Sequence, residues 1–89
     1  MNFNNNIDKR SFEEVILFKK TLTDKNGNDY LLLELTNKEA IFVFPSKVKQ
    51  NRWEELKEDQ KYEFFVQEGN NSSNILIDFD VKDGGDIFG

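Results

Sequence analysis

The stretch DYLLLELTNKEAIFVF, residues 29–44, reads as two short strands joined by a tight link. Side chains of an extended chain alternate between faces, so Leu31, Leu33 and Leu35 share one face and Tyr30, Leu32 and Glu34 the other. The three leucines are the expected core. Asn37 and Lys38 join the two runs, and so short a link predicts a hairpin. In the second run Ile41 and Val43 point opposite to Phe42 and Phe44. A strict two-residue turn would pair Phe42 with Leu33 inside, whereas a register one residue away would put Phe42 and Phe44 outside, beside Tyr30. The residues alone leave both registers open.

Three further runs flank this pair: EEVILFKKTLT (residues 13–23), KYEFFVQ (61–67) and NILIDFDV (74–81). All are short and rich in β-branched and aromatic side chains, which favours strands. DKNGN precedes the hairpin, with Gly27 and flanking asparagines suited to a tight loop, and EGNNSSN separates the last two runs. Only the segment after Pro45 looks helical. Asn51 with Glu54 forms a possible capping box, and Trp53 with Leu56 forms an apolar i, i+3 pair, so a short helix is expected over 52–58, preceded by a turn over 46–49. Five strands with a helix between the third and fourth is the order of a small, partly open Greek-key barrel of the OB type, an all-β fold with one short helix.

Eighty-nine residues suffice for one such domain and one core, expected over 11–81, with flexible ends at 1–10 and 82–89. There is no cysteine and no histidine, which removes disulfides, thiolate chemistry and the usual zinc ligands. No apolar run approaches the roughly 18 residues of a membrane helix, and the opening MNFNNNIDKRS has no signal-peptide core, so a cytoplasmic location without membrane contact is expected. Eleven asparagines and ten lysines against two arginines suggest an AT-rich genome. The net charge is −5, unevenly spread: 11 basic and 13 acidic groups over residues 1–77, one and four over 78–89. That balance argues against a strong non-specific binder of duplex nucleic acid.

DKNGNDYLLLELTN (24–37) resembles the strand, loop and strand of nucleic-acid-binding OB domains of the anticodon-binding and single-strand-binding kinds. WEELKEDQKYEFFV (53–66) is similar to the turn into their fourth strand, with Asp59 where those domains usually carry glycine. DFDVKDGGDIFG (78–89) resembles the acidic, Phe-terminated tail of bacterial and phage single-stranded DNA-binding proteins, although this chain ends Ile87, Phe88, Gly89. In that family the tail docks other replication enzymes and competes with DNA for the protein's own basic groove. The resemblance implies single-stranded DNA, or RNA, as ligand in replication or recombination of a bacterium, phage or mobile element. It implies a polymerase, primase or helicase as partner of a tail comprising Asp80, Asp83, Asp86, Ile87 and Phe88. The rival expectation is an accessory subunit that uses the same apolar face, or the tail, to bind such an enzyme.

Tyr30 and Leu32, joined by Phe42 and Phe44 in the outward register, are the candidate surface for stacking bases. Lys19, Lys20, Lys47, Lys49 and Arg52 are the candidate phosphate contacts, with Lys25 and Lys38 as weaker ones; scattered lysines also serve simply as a solvated surface. Asp78 and Asp80 flank Phe79 at a spacing that could hold a divalent cation. General catalysis needs a tuned base with an orienting partner, and none is evident, so the expected activity is binding, with no metal or cofactor.

Overall fold

In the computed structural model, residues 9–69 and 73–82 are described, and the chain runs through five strands: β1 (Lys9–Thr23), β2 (Asp29–Leu35), β3 (Ala40–Val43), β4 (Lys61–Glu68) and β5 (Asn74–Val81). A 3-10 helix (Gln50–Glu55) lies between β3 and β4. The strands close into a barrel in the order β1-β2-β3-β5-β4. Closure depends on the length of β1, whose first half pairs antiparallel with β4 (Lys9↔Gln67 to Val15↔Lys61) and whose second half pairs with β2 (Ile16↔Leu35 to Thr23↔Asp29). The change of partner falls at a bulge between Ile16 and Phe18, which bends the strand and leaves Leu17 57% exposed. A short parallel contact of β3 with β5, Ile41↔Asn74 and Phe42↔Ile75, seals the other side. β1 begins ahead of the expected domain start at Ser11, because Lys9 and Arg10 pair with Gln67 and Val66, and Arg10 bridges to Glu39 at 2.8 Å.

Alternation along the strands fills the interior. Leu31, Leu33 and Leu35 of β2, Ile41 and Val43 of β3, Tyr62, Phe64 and Val66 of β4, and Leu76 and Phe79 of β5 are all buried. Asp59 takes φ 68°, a conformation that glycine supplies at no steric cost and that aspartate tolerates better than most residues. That explains how aspartate can stand at this turn.

The short helix forms where expected, between β3 and β4, but departs from expectation in span and capping. It covers Gln50–Glu55 instead of 52–58, and its N-cap is Lys49, which makes no side-chain cap bond. Asn51 and Glu54 form no capping box. Tertiary contacts claim the backbone groups that an α-helix would use internally. The Trp53 indole donates to the Val48 carbonyl at 2.8 Å, and the Lys19 ammonium donates to the carbonyls of Trp53 (2.8 Å) and Leu56 (2.7 Å). The Tyr62 hydroxyl donates to the Glu55 carbonyl and accepts from the Lys57 amide. With Trp53 and Leu56 buried, the segment plugs one end of the barrel. The expected turn before it forms, with the amides of Lys47 and Val48 donating to the Phe44 carbonyl.

Asp83, Asp86, Ile87 and Phe88 lie outside the described residues, as does most of the segment expected to be flexible at the N-terminus. Asp80 lies within β5, opposite Glu63. Among the described residues no helix is long and apolar enough to cross a membrane.

Candidate nucleic-acid interface

The link between β2 and β3 decides which aromatic side chains reach the surface. Lys38 sits at φ 75°, its amide donating to the Leu35 carbonyl, while the Leu35 amide donates to the Glu39 carbonyl and Asn37 Oδ1 accepts from the Glu39 amide. The connection is therefore a three-residue loop ending in a left-handed residue, and not a two-residue turn. One extra residue in the loop moves the register by one. Leu33 faces Ile41 inside the barrel, and Leu32 faces Phe42 outside it.

On this outer face the rings of Tyr30, Phe42 and Phe44 form one cluster, with centroids 5.3 Å apart for Tyr30–Phe44, 6.2 Å for Tyr30–Phe42 and 6.3 Å for Phe42–Phe44. All three are half-buried. They line a concave groove of about 420 Å³ together with Ile75 of β5, Ser73 of the β4–β5 loop and Asp24 of the β1–β2 loop. Leu32 shares the face between Phe42 and Lys20, and Leu22 pairs with Tyr30. Gly69, just after the end of β4, lies against Ile75: a Cβ there would come within 2.3 Å of Ile75 Cδ1. The β1–β2 loop is tied by Asp24, whose Oδ1 accepts from the amides of Asn26 (2.8 Å) and Asn28 (2.9 Å), with Gly27 at φ 84°.

Sequence reading missed Ile75, Ser73, Asp24 and Leu22 as parts of this face. A signal for Ile75 exists: Ile75, Leu76 and Ile77 are consecutive, so β5 is apolar on both faces there. What that outer isoleucine meets depends on a parallel contact between segments distant in the chain.

The candidate cations divide into two groups. Lys20 is exposed opposite Leu32, and Lys47 and Lys49 are exposed in the segment that follows Phe44; none of the three makes an ion pair with another described residue. Lys25 and Lys38 are exposed on the two loops. Lys19 and Arg52, by contrast, are engaged within the fold. Lys19 faces the barrel mouth and holds the helix by its two carbonyl bonds; burial pushes its pKa down, against the pull of Glu54 and Glu58. Arg52 reaches Asp78 at 3.3 Å and Glu55 at 3.6 Å and lies over the Phe79 ring at 4.4 Å. Asp78 is thereby committed to Arg52, and among the described residues no three acidic side chains gather to hold a metal ion.

A closed five-strand barrel plugged by a helix between β3 and β4 defines an OB-type domain. No protein-family model and no curated protein matches the sequence. Among solved structures the chain is similar to the mitochondrial single-stranded DNA-binding protein Rim1 of S. cerevisiae, with a TM-score of 0.71 and 18% identity over 91% of this chain and 100% of that one. At that identity the likeness establishes the fold.

Proposed function

We propose that this chain binds single-stranded nucleic acid, DNA in the first instance, in the groove lined by Tyr30, Phe42, Phe44 and Ile75. The observation that carries the reading is the Tyr30–Phe42–Phe44 cluster on the β2–β3 face, flanked by Asp24 and Ser73. OB domains bind oligonucleotides on this face, and exposed aromatic rings accept unpaired bases of any sequence by stacking. Lys20, Lys47 and Lys49 follow the backbone beside the rings. The likeness to Rim1, which is named for binding single-stranded DNA, supports the same ligand here. With a net charge of −5, affinity rests on stacking more than on phosphate contacts, so duplex, whose bases are already stacked, is bound weakly. The chain acts by binding and not as an enzyme, in replication or recombination in the cytoplasm of a bacterium, phage or mobile element. Asp80, Asp83, Asp86, Ile87 and Phe88 dock a polymerase, primase or helicase.

The acidic balance, with Leu17 and Phe18 57% and 44% exposed on β1, favours a second reading, an accessory subunit that binds only such an enzyme. Fluorescence anisotropy with labelled single-stranded and duplex oligonucleotides, at low and moderate salt, separates the two. Saturable single-strand binding with weaker duplex binding is expected. A flat single-strand titration at low salt and high protein concentration overturns the proposal in favour of the accessory subunit.

A further inference from the structure

Five of the six groove-lining residues are rings, an isoleucine or a serine, and the sixth is the carboxylate of Asp24. A carboxylate repels phosphate and can only accept hydrogen bonds. Its Oδ1 is saturated by the Asn26 and Asn28 amides, and no described residue bonds Oδ2. A single, negatively charged acceptor thus stands at the rim of an aromatic groove, held in place by its own loop. We infer that Asp24 reads the base edge in this groove, selecting bases that present an exocyclic amine over thymine; the inference rests on the single-strand-binding reading above.

Cytosine and thymine make the comparison clean. They are pyrimidines of like size whose exposed edges differ at position 4, where cytosine presents the N4 amine as donor and thymine O4 as acceptor, and at N3, which accepts in cytosine and carries a proton in thymine. Cytosine N4 donates to Asp24 Oδ2, whereas thymine's one edge donor, N3–H, lies between O4 and O2, both of which the carboxylate repels. The Asp24→Asn variant removes this relationship without disturbing the loop. Only an oxygen can accept from the Asn26 and Asn28 amides, so the amide oxygen takes the place of Oδ1 and the NH2 group replaces Oδ2. The groove then offers a donor.

The test titrates oligo(dC) and oligo(dT) of equal length against the full chain and against Asp24→Asn, at neutral pH and fixed salt. The wild type binds oligo(dC) about tenfold more tightly, the effect of one hydrogen bond to a charged acceptor. In Asp24→Asn the preference for oligo(dC) is lost. Equal wild-type affinities, or a preference for oligo(dC) that survives Asp24→Asn, overturn the inference while leaving single-strand binding intact. Failure of the wild type to bind either oligonucleotide overturns the proposed function itself.

Discussion

The rings of Phe42 and Phe44 lie 18° from parallel with centroids 6.3 Å apart, on the same outer face of the barrel and in contact with Tyr30. Near-parallel orientation gives a base a platform on either ring without rearrangement of the strand. All three rings are half-buried, so truncating one removes ligand surface more than core. Tyr30→Ala and Phe44→Ala should each weaken single-strand binding by about 1–3 kcal/mol, with a thermal midpoint close to that of the wild type. Anisotropy titration and a melting curve check both halves. Unchanged affinity would remove the ring from the binding surface, and collapse of the fold would assign it to the core.

Lys20, Lys47 and Lys49 are exposed and make no ion pair with another described residue, and so are available to phosphates. Each lysine that contacts a phosphate releases a counterion on binding. Changing one to alanine should lower the slope of log affinity against log salt by about 0.7. Lys19→Met is the contrasting case, since its ammonium is bonded to Trp53 and Leu56: it should lower stability and leave the salt slope unaltered. A reduced slope in Lys19→Met would contradict that division.

Lys38 occupies φ 75°, where a Cβ is strained and glycine is not. Its side chain is exposed and makes no ion pair with a described residue. Lys38→Gly should therefore stabilise the protein, by up to about 1 kcal/mol after the added unfolded-state entropy is subtracted. Urea denaturation measures the change. A clear loss of stability would show that the Lys38 side chain carries an interaction the fold depends on.

Tyr62 predicts how stability falls in alkali. Burial raises its phenol above the ordinary value of 10.0, a shift only partly offset by the Lys57 amide, which favours the phenolate. The folded state thus keeps a proton that the unfolded chain gives up. The associated stability is present below pH 10.0 and is lost as pH rises through the folded value. Lys19 has the opposite sign, because its pKa is lowered and the folded state sheds its proton first. The difference in stability between the wild type and Tyr62→Phe cancels the Lys19 contribution. That difference should favour the wild type by about 1–3 kcal/mol at neutral pH, from the lost bonds to Glu55 and Lys57, and shrink above pH 10. A difference that stays constant into alkali would mean that the Tyr62 phenol titrates alike in both states.

Much of the barrel was legible because burial imposes a two-residue period that no other element shares. Leu31, Leu33 and Leu35 announced an inner face, Tyr30 and Leu32 an outer one, and the order of five strands around one short helical segment defined the architecture. These are local properties, set by the alternation of side chains along an extended chain. The register of β3 was not local. It turned on whether Lys38 would accept a left-handed backbone, and the burial of Ile41 opposite Leu33 outweighed that strain. Composition likewise supplied Lys19 and Arg52 as cations, but only packing determined that both are engaged within the fold. The groove itself is tertiary in origin. Asp24, Phe42 and Ile75 come from three separate parts of the chain, and they meet because closing the barrel leaves β3 no partner on its second edge except β5.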